Sequence, residues 1–245
     1  MNYKSIFPRS FKNFLKNSIS ENHHPPALSY SQSGEDSIIY SFFKHKILNN
    51  GYKGFYVDIG ANEPVNGSNS FFFYARDWKG IAVDADKNVI TRFKSYRPED
   101  ICITAAISDK EEELDFYIFE GSENWGNTFI KPLNTNASEG VFRVEKRKTI
   151  SLNCLLEQYL PENTEIDFLD IDVEGFEFKI LQAFDFEKYH PKLILVEMEG
   201  FDVKDCFKTP LFELITSNNY TFIARTNLGG NIGTSIFIKS GLSNF

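Results

Sequence analysis

The chain of 245 residues carries a net charge of −8 and 42% hydrophobic residues, with 25 Phe and 11 Tyr. This length suits one large α/β domain and is short for two, and the acidic balance leaves no basic footprint for nucleic acid. No run of about 18 apolar residues occurs, so no membrane-spanning helix is expected.

In chain order, residues 1–28 read as an arm and linker, and residues 29–245 as the domain. Lys4, Arg9, Lys12 and Lys16 stand in the arm without a neighbouring acid, while Phe7, Phe11, Phe14 and Leu15 recur at roughly helical intervals. This pattern fits a short helix packed on the domain, or a basic amphipathic arm that makes peripheral contact with an anionic membrane or a partner. The interspersed charges forbid a signal peptide, and His23-His24-Pro25-Pro26 makes a hinge. Residues 33–49 predict a helix with Ser33 as N-cap, Asp36 three positions on, and an apolar stripe of Ile38, Ile39, Phe42, Phe43 and Ile47. Strand 55–59, helix 69–76, strand 80–84, helix 87–95 and strand 101–106 then alternate as a doubly wound α/β fold requires. There the alternation breaks. Residues 114–119 and 141–150 have strand period around a stretch rich in Asn, Ser, Gly and Thr, which predicts an inserted β-hairpin or loop region. Within it, Asn124, Trp125, Asn127 and Thr128 suit a sugar face. Regularity returns as helix 151–159, strand 166–171, helix 176–184, strand 193–198 and helix 210–217, and strands 221–224 and 234–239 close an antiparallel hairpin. The three cysteines, Cys102, Cys154 and Cys206, have no C-x-x-C or metal spacing. Cys102 and Cys154 lie in apolar runs and read as buried thiols of a reducing, cytoplasmic compartment.

The turn after the first strand, Asp58-Ile59-Gly60-Ala61-Asn62, lacks the G-x-G-x-x-G of a dinucleotide site and offers an acid where a pyrophosphate would be repelled. The second strand ends in Asp84, placed to accept from ribose hydroxyls. An acid at the turn favours a cationic nucleoside, and S-adenosylmethionine (SAM), with its sulfonium and ammonium, is such a cofactor. Asp58 would contact the methionyl ammonium, or merely cap the turn. Gly60 and Ala61, next to Asn62, would let the backbone approach the ligand. Ala85 would flank the adenine, and Ala106 with Ile107 would pack on the base.

Three blocks carry a resemblance to a known family: Ser31-Gln32-Ser33-Gly34-Glu35-Asp36, then Gly54-Phe55-Tyr56-Val57-Asp58-Ile59-Gly60-Ala61-Asn62-Glu63-Pro64, then Leu169-Asp170-Ile171-Asp172-Val173-Glu174-Gly175. In this order they resemble the signature of the FkbM-type SAM-dependent methyltransferases, over nearly the whole chain. The resemblance implies a class I methyltransferase (Rossmann-like) fold, with a seven-stranded sheet and an antiparallel last strand. It implies methyl transfer with a bias toward sugars and secondary metabolites. It also implies that the first block folds over the cofactor, bringing Gln32 and Glu35 to it, and that Asp170 joins the cofactor site. Read by themselves, Glu35 and Asp36 are acids at a helix N-terminus, where the macrodipole favours them.

Asp170 and Asp172 share a face at a strand end, Glu174 follows at the turn, and Glu197 and Glu199 close the next strand. Brought together unpaired, such carboxylates raise one another's pKa. Three outcomes are open. One acid serves as general base for a substrate hydroxyl, Asp172 first, then Glu199, with Glu174 also in the catalytic set. A hard cation such as Mg²⁺ binds Asp172, Glu197 and Glu199. Or the acids pair with Lys179, Lys192 or backbone amides. The histidines are poorly placed for the base, since His190 precedes its strand at the wrong end. The expected activity is O-methylation of a small-molecule or glycan acceptor. Alternatives are N-methylation of an amino sugar, a metal-dependent hydrolase or phosphoryl-transfer enzyme, and a non-catalytic SAM-binding protein.

Overall fold

The computed structural model describes residues 29–119, 127–131, 141–200, 202–227 and 231–242, and for 141–142 the backbone alone. The predicted arm 1–28, with His23 and His24, and Asn124 and Trp125 of the insert lie outside the described residues. The first half runs α1 (Glu35–Asn50), β1 (Phe55–Ile59), α2 (Phe71–Tyr74), β2 (Lys79–Asp84), α3 (Lys87–Tyr96), β3 (Ile101–Thr104), β4 (Ala106–Ser108) and β5 (Glu113–Phe119). The second runs β6 (Val141–Ser151), α4 (Leu152–Tyr159), β7 (Phe168–Ile171), α5 (Glu177–Gln182), α6 (Phe186–Tyr189), β8 (Leu193–Glu199), α7 (Val203–Cys206), α8 (Pro210–Ser217), β9 (Tyr220–Arg225) and β10 (Ile232–Lys239).

Seven strands form one sheet in the order β3-β2-β1-β7-β8-β10-β9. β3, β2, β1, β7 and β8 are parallel, and β10 runs antiparallel to both its neighbours. This is the expected doubly wound sheet with its reversed last strand. The central strands are near-continuous apolar runs because helices cover both their faces. Val57, Ile59, Leu169, Ile171, Ile194 and Val196 pack with Leu155, Leu156, Ile180, Leu181 and Ile215 on one side. Tyr56, Phe168, Leu193 and Leu195 point the other way, toward Ile39, Phe43, Phe72, Phe73 and Trp78. Phe43 meets Trp78 edge-on at 5.1 Å, and Tyr56 stacks on Phe168 at 5.4 Å. Much of the aromatic excess is therefore core.

Several expectations are corrected. Ser33 is not the N-cap of α1. The helix starts after Gly34, whose φ of 91° turns the chain without a side-chain cap, and the Ser33 hydroxyl donates to the Asn227 carbonyl instead. Asp36 accepts from the Ser29 hydroxyl and the Tyr30 N–H, both at 2.7 Å, so it ties down the segment before the helix. The strand expected over 101–106 divides at Ala105, whose N–H still reaches the Asp84 carbonyl at 3.0 Å. Beyond that pivot β4 leaves the main sheet and pairs with β6, so the insert is a three-stranded sheet, β4-β6-β5, that includes the expected β5–β6 hairpin. Ser151 caps α4 by accepting from the Cys154 N–H. All three thiols are free, but Cys154 is exposed and Cys206 is the buried one.

Candidate active site

A cavity of about 1160 Å³ opens where β1, β2 and β7 end. That volume includes space open to solvent at the cavity mouth. Every residue predicted to bind cofactor lines it: Gln32, Glu35, Asp58, Gly60, Ala61, Asn62, Asp84, Ala85, Ala106 and Asp170. So do Asp172, Glu174 and Asn127, together with Ile107.

Gly60 earns its place differently from the expectation. Its φ is 82°, and a Cβ there would lie 1.7 Å from the Asp172 carbonyl oxygen. The glycine thus lets the chain's own acidic loop pack on the turn, and it also lines the cavity. The Gly60 and Ala61 N–H groups both donate to the Val83 carbonyl, at 2.9 and 3.0 Å, and fasten the turn to β2. One oxygen of Asp84 accepts from the Asn62 N–H at 3.2 Å and the other from the Asp86 N–H at 2.7 Å. Burial pushes the Asp84 carboxyl up to about 6 despite these donors.

Asp58 and Asp170 are register partners on β1 and β7. Asn69 donates to Asp170 at 2.8 Å, and the Ser70 hydroxyl donates to Asp58. Burial raises both carboxyls. The Asp58 charge raises Asp170 further, while Arg97 and Ser70 oppose the rise at Asp58.

The acid cluster differs from its predicted membership. Asp172, Glu177 and Glu197 each offer an oxygen, and these oxygens lie within 4.8 Å of one another. Glu199 is exposed and does not line the cavity. The register explains the substitution: Ile171, the last residue of β7, pairs with Val196, so Glu197 lies level with Asp172 and Glu199 runs past the sheet end. Glu177, in the first turn of α5, occupies the place expected of Glu199. One of its oxygens accepts from the Val173 and Gly175 N–H groups at 2.9 and 3.1 Å, bracketing the turn. Lys179 goes to Glu112 and Asp109, and Lys192 to Asp167 and Glu165, so neither lysine is engaged with the cluster. Asp172 Oδ1 is buried without a hydrogen-bond partner. Burial holds the Asp172 carboxyl well above the usual carboxylate range, and Glu197, Glu174, Asp170 and Glu177 add to the rise. Burial, then Glu174, Glu177 and Glu199, brings Glu197 to about 8 against the pull of Arg225.

Thr128 donates to the Glu174 carbonyl at 2.8 Å, so the insert is tied to the acidic turn. Glu174 (φ 56°) and Gly175 (φ 105°) make that turn left-handed. His45 and His190 are exposed. Sequence reasoning missed Asn66, Gly67, Ser68 and Asn69, which line the cavity; their Asn/Gly/Ser-rich run after a strand was the available signal. It also missed Phe116, Phe129 and Thr234, which no local pattern marked.

The chemistry of the donors fits SAM. The cavity lining holds seven acids without a Lys, Arg or His among its described residues, a donor set suited to a ligand with a sulfonium, an ammonium and a vicinal diol.

Comparison with known proteins agrees. The family profile described as "Methyltransferase FkbM domain" matches residues 58–222, about two thirds of the chain. A search of curated proteins found no match. Among solved structures, a TehB-like SAM-dependent methyltransferase from Corynebacterium glutamicum is 10% identical, with 94% of this chain and 97% of that one covered and a TM-score of 0.40. The methyltransferase domain of a bacterial Hen1 protein, CtHen1-C, is 12% identical, with 84% and 97% covered and a TM-score of 0.41. The PH0226 protein from Pyrococcus horikoshii is 10% identical, with 86% and 95% covered and a TM-score of 0.37. These are distant likenesses, and no substrate is carried over from them.

Proposed function

The chain belongs to the FkbM family of SAM-dependent methyltransferases, and from that premise we propose that it methylates a hydroxyl of a sugar, glycan or secondary-metabolite acceptor. The observation that carries this reading is Asp172: a half-buried acid lining the cavity whose buried Oδ1 has no hydrogen-bond partner among the described residues, beside Glu197. An alcohol is too weak an acid to ionise unaided, and a carboxyl raised toward the working pH is the group to take its proton. Asp172 is the proposed base. Glu197 shares and relays the proton, and Glu177 holds the turn rather than touching the acceptor. Asp84 would hold the ribose, Asp58 the methionyl ammonium, and Gln32, Glu35, Asn62 and Asp170 the remaining wall. The bound cofactor supplies an electrophilic methyl group on a sulfonium. The protein's part is mainly alignment, for which effective concentration supplies roughly 7–11 kcal/mol.

The acidic lining favours an acceptor without anionic groups. Family membership displaces the hydrolase alternative. A second reading keeps a specific observation behind it: the Asp172, Glu177 and Glu197 oxygens are close enough to hold a divalent cation such as Mg²⁺. Among the described residues no helix is long and apolar enough to cross a membrane, and three free thiols agree with a cytoplasmic setting. Contact of the basic arm with a membrane remains part of the proposal.

The test is transfer of a tritiated methyl group from SAM to a panel of neutral glycosides, amino sugars and sugar phosphates, each with Mg²⁺ and with EDTA. Label on neutral hydroxyls, insensitive to EDTA and lost in Asp172→Asn, is expected. Label confined to amino groups would establish N-methylation instead. Activity abolished by EDTA and restored by Mg²⁺ would establish the cation.

A further inference from the structure

Arg97 terminates α3 and is fully buried, yet it does not line the cavity. Each of its nitrogens is engaged. Nε donates to Asp100 at 2.8 Å. Nη1 donates to the Pro64 carbonyl at 3.3 Å and the Ser68 hydroxyl at 3.2 Å. Nη2 donates to the Tyr56 hydroxyl at 2.8 Å and the Ser70 hydroxyl at 2.9 Å. Its guanidinium also lies over the Phe93 ring, 4.8 Å from the centroid. Asp100 accepts from Arg97, from the Tyr56 hydroxyl and from the Gly80 N–H at 3.0 Å, so the ion pair is saturated. A buried arginine with this many partners costs desolvation that a hydrophobic replacement would avoid, which asks what it does.

One of its partners, Ser68, lines the cavity, and two more, Ser70 and Pro64, lead to it. Ser70, held by Nη2, passes its own proton to Asp58 as a hydrogen bond. Pro64 and Ser68, held by Nη1, bound the segment that carries Asn66 and Gly67 into the cavity wall. Asn69 in turn donates to Asp170. Asp58 faces Arg97 and Asp100 from beneath, Asp170 on β7 and Asp84 on β2. Among these described neighbours three are acids, and Arg97 is the cation among them.

We infer that Arg97, acting through Ser70, is a positioning residue for the cofactor: it keeps Asp58 a carboxylate among other acids and fixes the 64–70 wall. The inference rests on Asp58 meeting the methionyl ammonium, as proposed above. Arg97 replaced outright would strand Asp100, so the mild variant is Ser70→Ala, which cuts the link and leaves the guanidinium in place. SAM affinity is measured calorimetrically from pH 5.5 to 8.5 on wild type, Ser70→Ala and Asp58→Asn, and each variant is expressed as a ratio to wild type.

In Ser70→Ala, Asp58 loses a donor to its charged form and protonates at higher pH. Its affinity should fall about tenfold below wild type at the acid end and recover toward wild type at the alkaline end. A purely structural loss would lower affinity by the same factor at every pH. A constant ratio, or none at all, overturns the role of Arg97 and Ser70. Asp58→Asn should be weak throughout. If it binds like wild type, the placement of Asp58 is wrong, a failure distinct from that of the Arg97 link.

Discussion

Replacing Asp84 with Asn separates a ligand-binding acid from a structural one. Each Asp84 oxygen accepts one backbone N–H, from Asn62 and from Asp86. Asn offers a single acceptor oxygen, so one of those N–H groups would confront an amide NH₂, and the charged contact proposed to a ribose hydroxyl would be lost. A charge-assisted hydrogen bond is worth about 1.5–3 kcal/mol, so SAM affinity should fall by about 10- to 150-fold. Stability behaves otherwise. The folded chain raises this carboxyl to about 6, so ionising it opposes folding: stability falls as pH climbs from the unfolded value through about 6. The amide removes that burden while losing one N–H partner, and the two effects offset. Parallel calorimetry and thermal unfolding at pH 7.5 should therefore show the affinity loss with Tm moving by less than about 4 °C. In wild type, affinity should be flat above about 6 and weaken below it, by up to about tenfold per pH unit, and Asp84→Asn should lack this step. An unchanged affinity, or a Tm that collapses in step with it, would refute the reasoning.

Asp172→Asn should keep SAM affinity within about threefold while lowering turnover by about 10²- to 10⁴-fold, measured as labelled methyl transfer; full turnover would sink the base assignment. Gly60→Ala should fail to accumulate folded protein, because its Cβ would lie 1.7 Å from the Asp172 carbonyl oxygen at a φ of 82°. A soluble Gly60→Ala variant with native circular dichroism would contradict that packing. Ser151→Ala removes the cap of α4 from the Cys154 N–H and should cost about 1 kcal/mol by denaturant titration, with SAM binding unaltered.

The parallel core and the acids at the strand ends that line the cavity were legible in the residues alone. Buried parallel strands must be continuous apolar runs, and the acids Asp58, Asp84 and Asp170 interrupt those runs where the strands reach the site, a local pattern that needs no knowledge of neighbours. The reversed last strand came with the family resemblance, and pairing of β10 with β8 and β9 bears it out. Other features depended on groups distant in sequence. The exchange of Glu199 for Glu177 follows from the β7–β8 register, which places Glu197 beside Asp172 and carries Glu199 past the sheet. The departure of β4 follows from its pairing with β6, more than forty residues on by Ala106↔Thr149. Arg97 lies beyond the helix expected over 87–95 and carried no local signal, and only the folded chain surrounds it with Tyr56, Pro64, Ser68, Ser70 and Asp100. Sequence thus determined most of the sheet's strands and which of them end in acids, because periodicity and strand ends are local. Which carboxylates lie together, and which cation lies near them, was decided by register and packing, because a charge responds to everything within a few ångströms regardless of its place in the chain.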